Sequence, residues 1–426
     1  MVQYLFITVL FIAGILAAQS PGTMDAHHHH HMEETEAETV LTGMPSILSL
    51  NLPMSMDGSG TSWLPAHSAV RMSMSHSGPW MLMTHGSLVL RYTAQGGSRG
   101  ESAFSAPNWF MASAQRSIAE GQQLTFRTMV SLDRITEGGD GYPLLLQSGE
   151  TWNGKALTDR QHPHDVIAEL SASYSVAVSP EAGLYLYLGY PGEPALGPTA
   201  FMHRPSAQFN PDAPIGHHGQ DATHITFGVS TIGVVIGNVK MEGSVFTGRE
   251  PDEDRWAFDA PRFDSYSGRI SYNPTKQLAL QASYGSINDP EGHGDDAARF
   301  SASVLHSMNL GLESSLHSSV VWGENEEHHV PVRSLLAEAT FISGSVGLYG
   351  RHESVGKQRG ELGFTDGKST VEQLRQYTAG IRYRVLATDS YSVGLGIQGM
   401  VSRVSAYLER YYGKDPVSWQ VYLQLQ

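Results

Sequence analysis

The 426-residue chain has 45 Gly, 16 Met and no Cys, is 16% charged and 40% hydrophobic, and carries a formal net charge of −15 at pH 7. Without Cys there can be no disulfide, thiolate metal site or cysteine nucleophile, and the acidic balance offers no basic face to nucleic acid. The length allows one large domain or two ordinary ones.

Residues 1–18 carry no charged side chain, and the run from Tyr4 to Leu16 is nearly all apolar ahead of Ala17 and Ala18. They read as a secretory signal peptide, and with no Cys behind them a lipid anchor is not expected. No later stretch reaches the ~18 consecutive apolar residues of a membrane helix, so further membrane contact must be made by strands. Residues 19–79 are rich in Met, Ser, His, Pro and Gly without sustained periodicity, as in a flexible or plug-like arm. The five histidines at 27–31, between the signal and an acidic run, suit a native segment as well as an inserted tag.

From residue 80 the pattern alternates with period two. Trp80, Leu82, Leu88, Leu90 and Tyr92 share one face; Leu124, Phe126, Thr128, Val130 and Leu132 share another, with Thr125, Arg127, Ser131 and Asp133 opposite. The clearest case follows the knot at residues 159–165. There Val166, Ala168, Leu170, Ala172, Tyr174, Val176 and Val178 align against Asp165, Glu169, Ser171, Ser173 and Ser175. Gly237-Asn238 marks a hairpin, and the chain closes with Val417, Trp419, Val421, Leu423 and Leu425 on one face. Short links alternate with longer ones, at 93–101, 134–164, 191–221, 249–263, 288–296, 323–331, 356–374 and 402–416.

Segments of about ten residues number about 16, so the fold expected for residues 80–426 is an all-β, antiparallel transmembrane β-barrel. It is porin-like, with short periplasmic turns and long outer loops, and belongs in the bacterial outer membrane after export to the periplasm. A soluble sandwich or propeller also alternates, but here the faces opposite the apolar ones carry Arg127, Arg382, Arg384, Glu169, Glu242 and Glu338 instead of core residues.

Several long strings resemble a family of uncharacterised exported bacterial proteins often encoded beside heavy-metal efflux systems. They are LTDRQHPHD (157–165), GEPALGPTAFMHRPSA (192–207), HITFGV (224–229), the run 248–274 and GSGTSWLP (58–65). The likeness covers most of the chain after Met54. It implies no reaction, but implies a setting in copper or silver tolerance, with periplasmic efflux components as partners beside outer-membrane lipid. A homotrimer is the oligomer that such a barrel can form.

Three groups could carry chemistry. His162, His164 and Asp165 offer two imidazoles and a carboxylate, with Pro163 stiffening the loop, and His217, His218 and His224 end the next long loop. The strands that receive these loops are separated by one neighbour, so the groups could converge and bind metal. The other reading is a hydrogen-bonded loop lock, with Arg160 paired to a carboxylate. Met81, Met83 and His85 alternate in an extended segment and could point together into the lumen; thioethers favour Cu(I) or Ag(I), and zinc fits less well. Catalysis by Ser171 or Ser173 with these histidines lacks a nucleophile motif and is not expected. The function read from the sequence is a channel-like barrel linked to metal tolerance; the alternative is a closed metal-binding or scaffold barrel serving an efflux system, and less so a hydrolase.

Overall fold

The computed structural model describes residues 44–426 except 69–71, 293, 328–329 and 389. The expected signal peptide, the polyhistidine and the expected arm up to residue 43 lie outside the described residues.

Sixteen strands form the barrel. They are β1 (Trp80–Ala94), β2 (Asn108–Ala119), β3 (Gln122–Val130), β4 (Ile167–Ser179), β5 (Ala182–Gly189), β6 (Val229–Ile236), β7 (Val239–Phe246) and β8 (Ser265–Thr275), then β9 (Leu278–Ile287), β10 (Ala297–Gly311), β11 (Ser314–Glu327), β12 (Val330–Ser343), β13 (Val346–Gln358), β14 (Val371–Ala387), β15 (Ser392–Arg403) and β16 (Val417–Leu425). Each pairs antiparallel with the next, and β16 returns to β1 from Leu88↔Leu425 to Ala94↔Trp419, closing the cylinder. Closure removes the unpaired edge that hydrocarbon cannot satisfy. Two short strands extend the ladder: Ser73–Ser77 runs beside the start of β1, and Ser102–Ser105 beside its end.

Burial is inverted relative to a soluble protein. Along β5, Leu184, Leu186 and Leu188 are exposed while Tyr185 and Tyr187 are buried; along β3 and β4, Phe126 and Leu170 are exposed while Arg127 and Glu169 are buried. Apolar residues facing outward around a closed sheet require lipid, which places the barrel in the outer membrane. Inside, tyrosine rings lie across strands over glycines: a Cβ on Gly380 would stand 2.2 Å from the Tyr349 ring, and one on Gly396 2.1 Å from that of Tyr422.

Two local expectations are corrected. Ala168 does not join the outward face. The ladder slips between Met129↔Glu169 and Val130↔Ile167, and this bulge turns Ala168 inward, where it is buried with Met111, Met129 and Ile225. Nor is 323–331 a long loop: β11 and β12 stay paired up to Glu327↔Val330, because the Glu324–Arg333 ion pair and the alternating residues extend the hairpin.

The bore is filled from both ends. Residues 44–68 run inside the barrel, where Gln123 donates to the Ser46 carbonyl (2.9 Å), Arg127 to that of Gly60 (2.7 Å) and Asn273 to that of Leu64 (2.9 Å). Trp63 seats in an apolar cluster with Tyr185, Tyr187 and Phe246. The third long loop, residues 190–228, folds inward against it. Its Asp212 accepts from Arg91 (2.5 Å), Gln398 (2.7 Å) and Gln420 (2.8 Å), and Phe209 packs between Tyr349 and Tyr422.

Candidate functional site

The second long loop leaves β3 through a helical turn, α1 (Asp133–Thr136), projects the hairpin Tyr142–Trp152 and Lys155–Gln161, and returns through His162, Pro163 and His164 into β4. The third leads into β6 through two tight turns, His217–Gly219 and Ala222–His224. Since only β5 separates β4 from β6, the histidine-bearing ends of both loops meet at the long-loop rim. Ring centroids lie 5.6 Å apart for His162 and His218, 5.1 Å for His217 and His218, 5.1 Å for His217 and His224, and 5.5 Å for His164 and His224.

Three of the rings are aimed by a second residue. The Nδ1 atom of His164 donates to Asp133 (2.7 Å) and that of His217 to Asp221 (2.6 Å), while that of His224 donates to the Asp221 carbonyl (2.8 Å). A carboxylate or carbonyl can only accept, so in the neutral form of each ring Nε2 keeps its lone pair. The Nε2 atoms of His164 and His224 are buried without a hydrogen-bond partner, as is Nδ1 of His218. His162 Nε2 lies 3.1 Å from Glu150, which is also held by Arg255. The loop lock expected from the sequence is therefore present, with Arg160 bonded to Glu101 (2.6 Å) and Asp140 (3.1 Å).

Burial, reinforced by the neighbouring imidazoles, pushes His162 and His218 well below the usual histidine range and His224 down to about 3. These rings are neutral near pH 7, and neutral imidazole is the metal-binding form. Burial acts to raise Asp221, but the hydrogen bond from His217 and the charge of Arg204 hold it well below the carboxylate range. Asp165 lines the same cavity as the imidazoles and is paired with Arg255, at 3.2 Å. Among the described residues no three His, Asp or Glu side chains form a preformed ion cage.

The histidines wall a cavity of about 20 Å³ that adjoins an outer vestibule of about 520 Å³. The third group lies elsewhere: Met83 and His85 line a separate cavity of about 140 Å³, and Met81 packs in the methionine cluster beside it. Met54 and Met72 from the arm, Met111 from β2, and Met202 and His203 from the third loop also line it. Of these, Met111, Met202 and His203 were missed by the sequence reading. Its one available signal was the Met202-His203 pair inside the family-like string 192–207.

No protein-family model and no curated protein sequence matches the chain. Among solved structures it is similar to OmpF of Salmonella typhi in complex with daunomycin, at 11% identity over 83% of this chain and 100% of that one, with a TM-score of 0.52. It is also similar, at 8% identity over 81% of this chain and 99% of that one, to a loop-deleted OmpT of Vibrio cholerae, with a TM-score of 0.47. At such identities the likeness is one of fold. Fold and lipid-facing exterior together define a porin-like β-barrel of the bacterial outer membrane. The metal-efflux setting implied by the sequence strings gains no support from these comparisons.

Proposed function

We propose that this barrel is a channel for small cations that contributes to copper or silver tolerance, its flow restricted by the arm and the third loop. The observation that carries the reading is the vestibule of about 520 Å³ at the long-loop end of a barrel whose inward side chains are largely polar. An exterior built for lipid and an interior built for water suit transport of polar solutes. The second reading, a closed metal-binding or scaffold barrel serving an efflux system, is favoured by the filled bore. Ser171 is bonded to Glu169 (2.7 Å) and Ser173 faces the Ile47 carbonyl (3.5 Å), so neither serine adds support for a hydrolase.

Planar-bilayer recording separates the two readings. Current steps from the full chain, enlarged when residues 44–68 are deleted, support the channel; silence from both proteins supports the closed barrel. Homotrimer formation and contact with efflux components belong to the same proposal and are read by crosslinking in intact membranes.

A further inference from the structure

Four cavities follow one another from the vestibule to the arm, and consecutive ones share wall residues. The vestibule and the histidine cavity share Glu150, His218 and Arg255. The histidine cavity shares His224 and Ile225 with a second cavity of about 20 Å³, which in turn shares Met202 and His203 with the methionine cavity. Every junction is therefore walled by an imidazole or a thioether. The ring spacings given above continue inward, with His203 and His85 6.1 Å apart and His203 4.6 Å from the Trp109 ring.

We infer that this series is a transit path for a soft monovalent d¹⁰ cation, Cu(I) or Ag(I), passed from imidazoles at the outer end to thioethers at the inner end. The inference rests on the channel reading and names its cargo. Two of the cavities hold about one water-sized body each, so a hydrated ion must shed water there, and only direct donors can replace it. Neutral imidazole and thioether are the donors that suit soft ions, and soft ions lose water readily to them. The unpartnered Nε2 atoms of His164 and His224 are such donors, each aimed by a carboxylate or carbonyl behind it.

Charge favours a cation as well. The four cavities are lined by ten carboxyl side chains against five guanidiniums and Lys357. The lack of a three-ligand cage among the described residues accords with transit, because conduction needs sites strong enough to admit an ion and weak enough to release it.

The test is influx of Ag(I), added as nitrate in chloride-free buffer, into liposomes holding the full chain, with K⁺ current recorded in parallel. His224→Leu breaks the middle of the path, and Met202→Leu removes a thioether at nearly constant volume; heat-modified gel mobility confirms that each barrel is folded. A fall of at least tenfold in the ratio of Ag(I) influx to K⁺ current in both variants is the expected result. Ag(I) influx that persists in both variants overturns the path while leaving the channel reading intact, and so does parallel loss of both ions. A wild-type chain that passes neither ion overturns both.

Discussion

Arg204 of the third loop donates from Nε to Glu338 on the barrel wall at 2.9 Å, and from Nη1 to Asp221 at 2.8 Å. One guanidinium thus fastens the loop to the wall and holds the carboxylate that aims His217. Glu338 is bonded in turn to Arg351 on β13 at 2.9 Å, so the loop is tied to two neighbouring strands. Arg204→Ala leaves both carboxylates buried with one cationic or imidazole partner each. The expected cost is about 3 kcal/mol, at the low end for breaking a buried pair because neither acid is fully stranded. Urea titration in detergent micelles reads the loss, together with new protease cleavage within residues 190–228.

Gly380→Ala is expected to destabilise the barrel by about 1–3 kcal/mol through overpacking, since its Cβ would stand 2.2 Å from the Tyr349 ring. The displaced ring would strain the hydrogen bonds of the Tyr349 hydroxyl with Gln398 (2.8 Å) and Tyr422 (3.0 Å). In Tyr349→Ala the same glycine substitution should cost almost nothing. An additive double mutant would show that the ring does not press on this glycine.

The cylinder was legible because lipid and lumen impose opposite demands on alternate residues: Leu186 and Tyr187 differ in exposure although both are apolar enough for either face. The inward turn of Ala168 was not, since a bulge shifts register without altering the apolar pattern around it. Alternation also says nothing about which loops fold into the bore. His164 is aimed by Asp133, 31 residues earlier, and Met83 shares its cavity with Met202 from a loop that follows β5. Such partners are chosen by closure of the sheet and have no local signature. The convergence of the two histidine groups could be anticipated because only β5 lies between the strands that their loops lead into.

Two buried carboxyls should each contribute a loss of stability as pH rises from about 4.5 to 8. Burial raises the Glu193 carboxyl to about 8 and, in the arm, Asp57 to about 6. Facing Glu193 are Arg269, Arg127 and the Ser59 hydroxyl, which favour its anion, and Glu169, which opposes it. A carboxyl that holds its proton more tightly in the folded chain contributes stability below its ordinary value near 4.5, and that contribution is gone once pH passes the folded value. Glu193→Gln should match the wild type at about pH 4 and unfold at a higher temperature than it at about pH 9. Parallel melting-temperature curves across this range would remove Glu193 from the account.

The division of the strands between lipid and lumen supports everything above, and a chain without Cys allows it to be measured one residue at a time. Single cysteines placed from residue 184 to 188 on β5, spin-labelled in liposomes, report collisions with oxygen dissolved in lipid and with a water-soluble nickel complex. Labels at 184, 186 and 188 are expected to show high oxygen and low nickel contact, and those at 185 and 187 low oxygen contact. Free access of the nickel complex to the label at 186 would contradict a barrel whose outer face meets hydrocarbon.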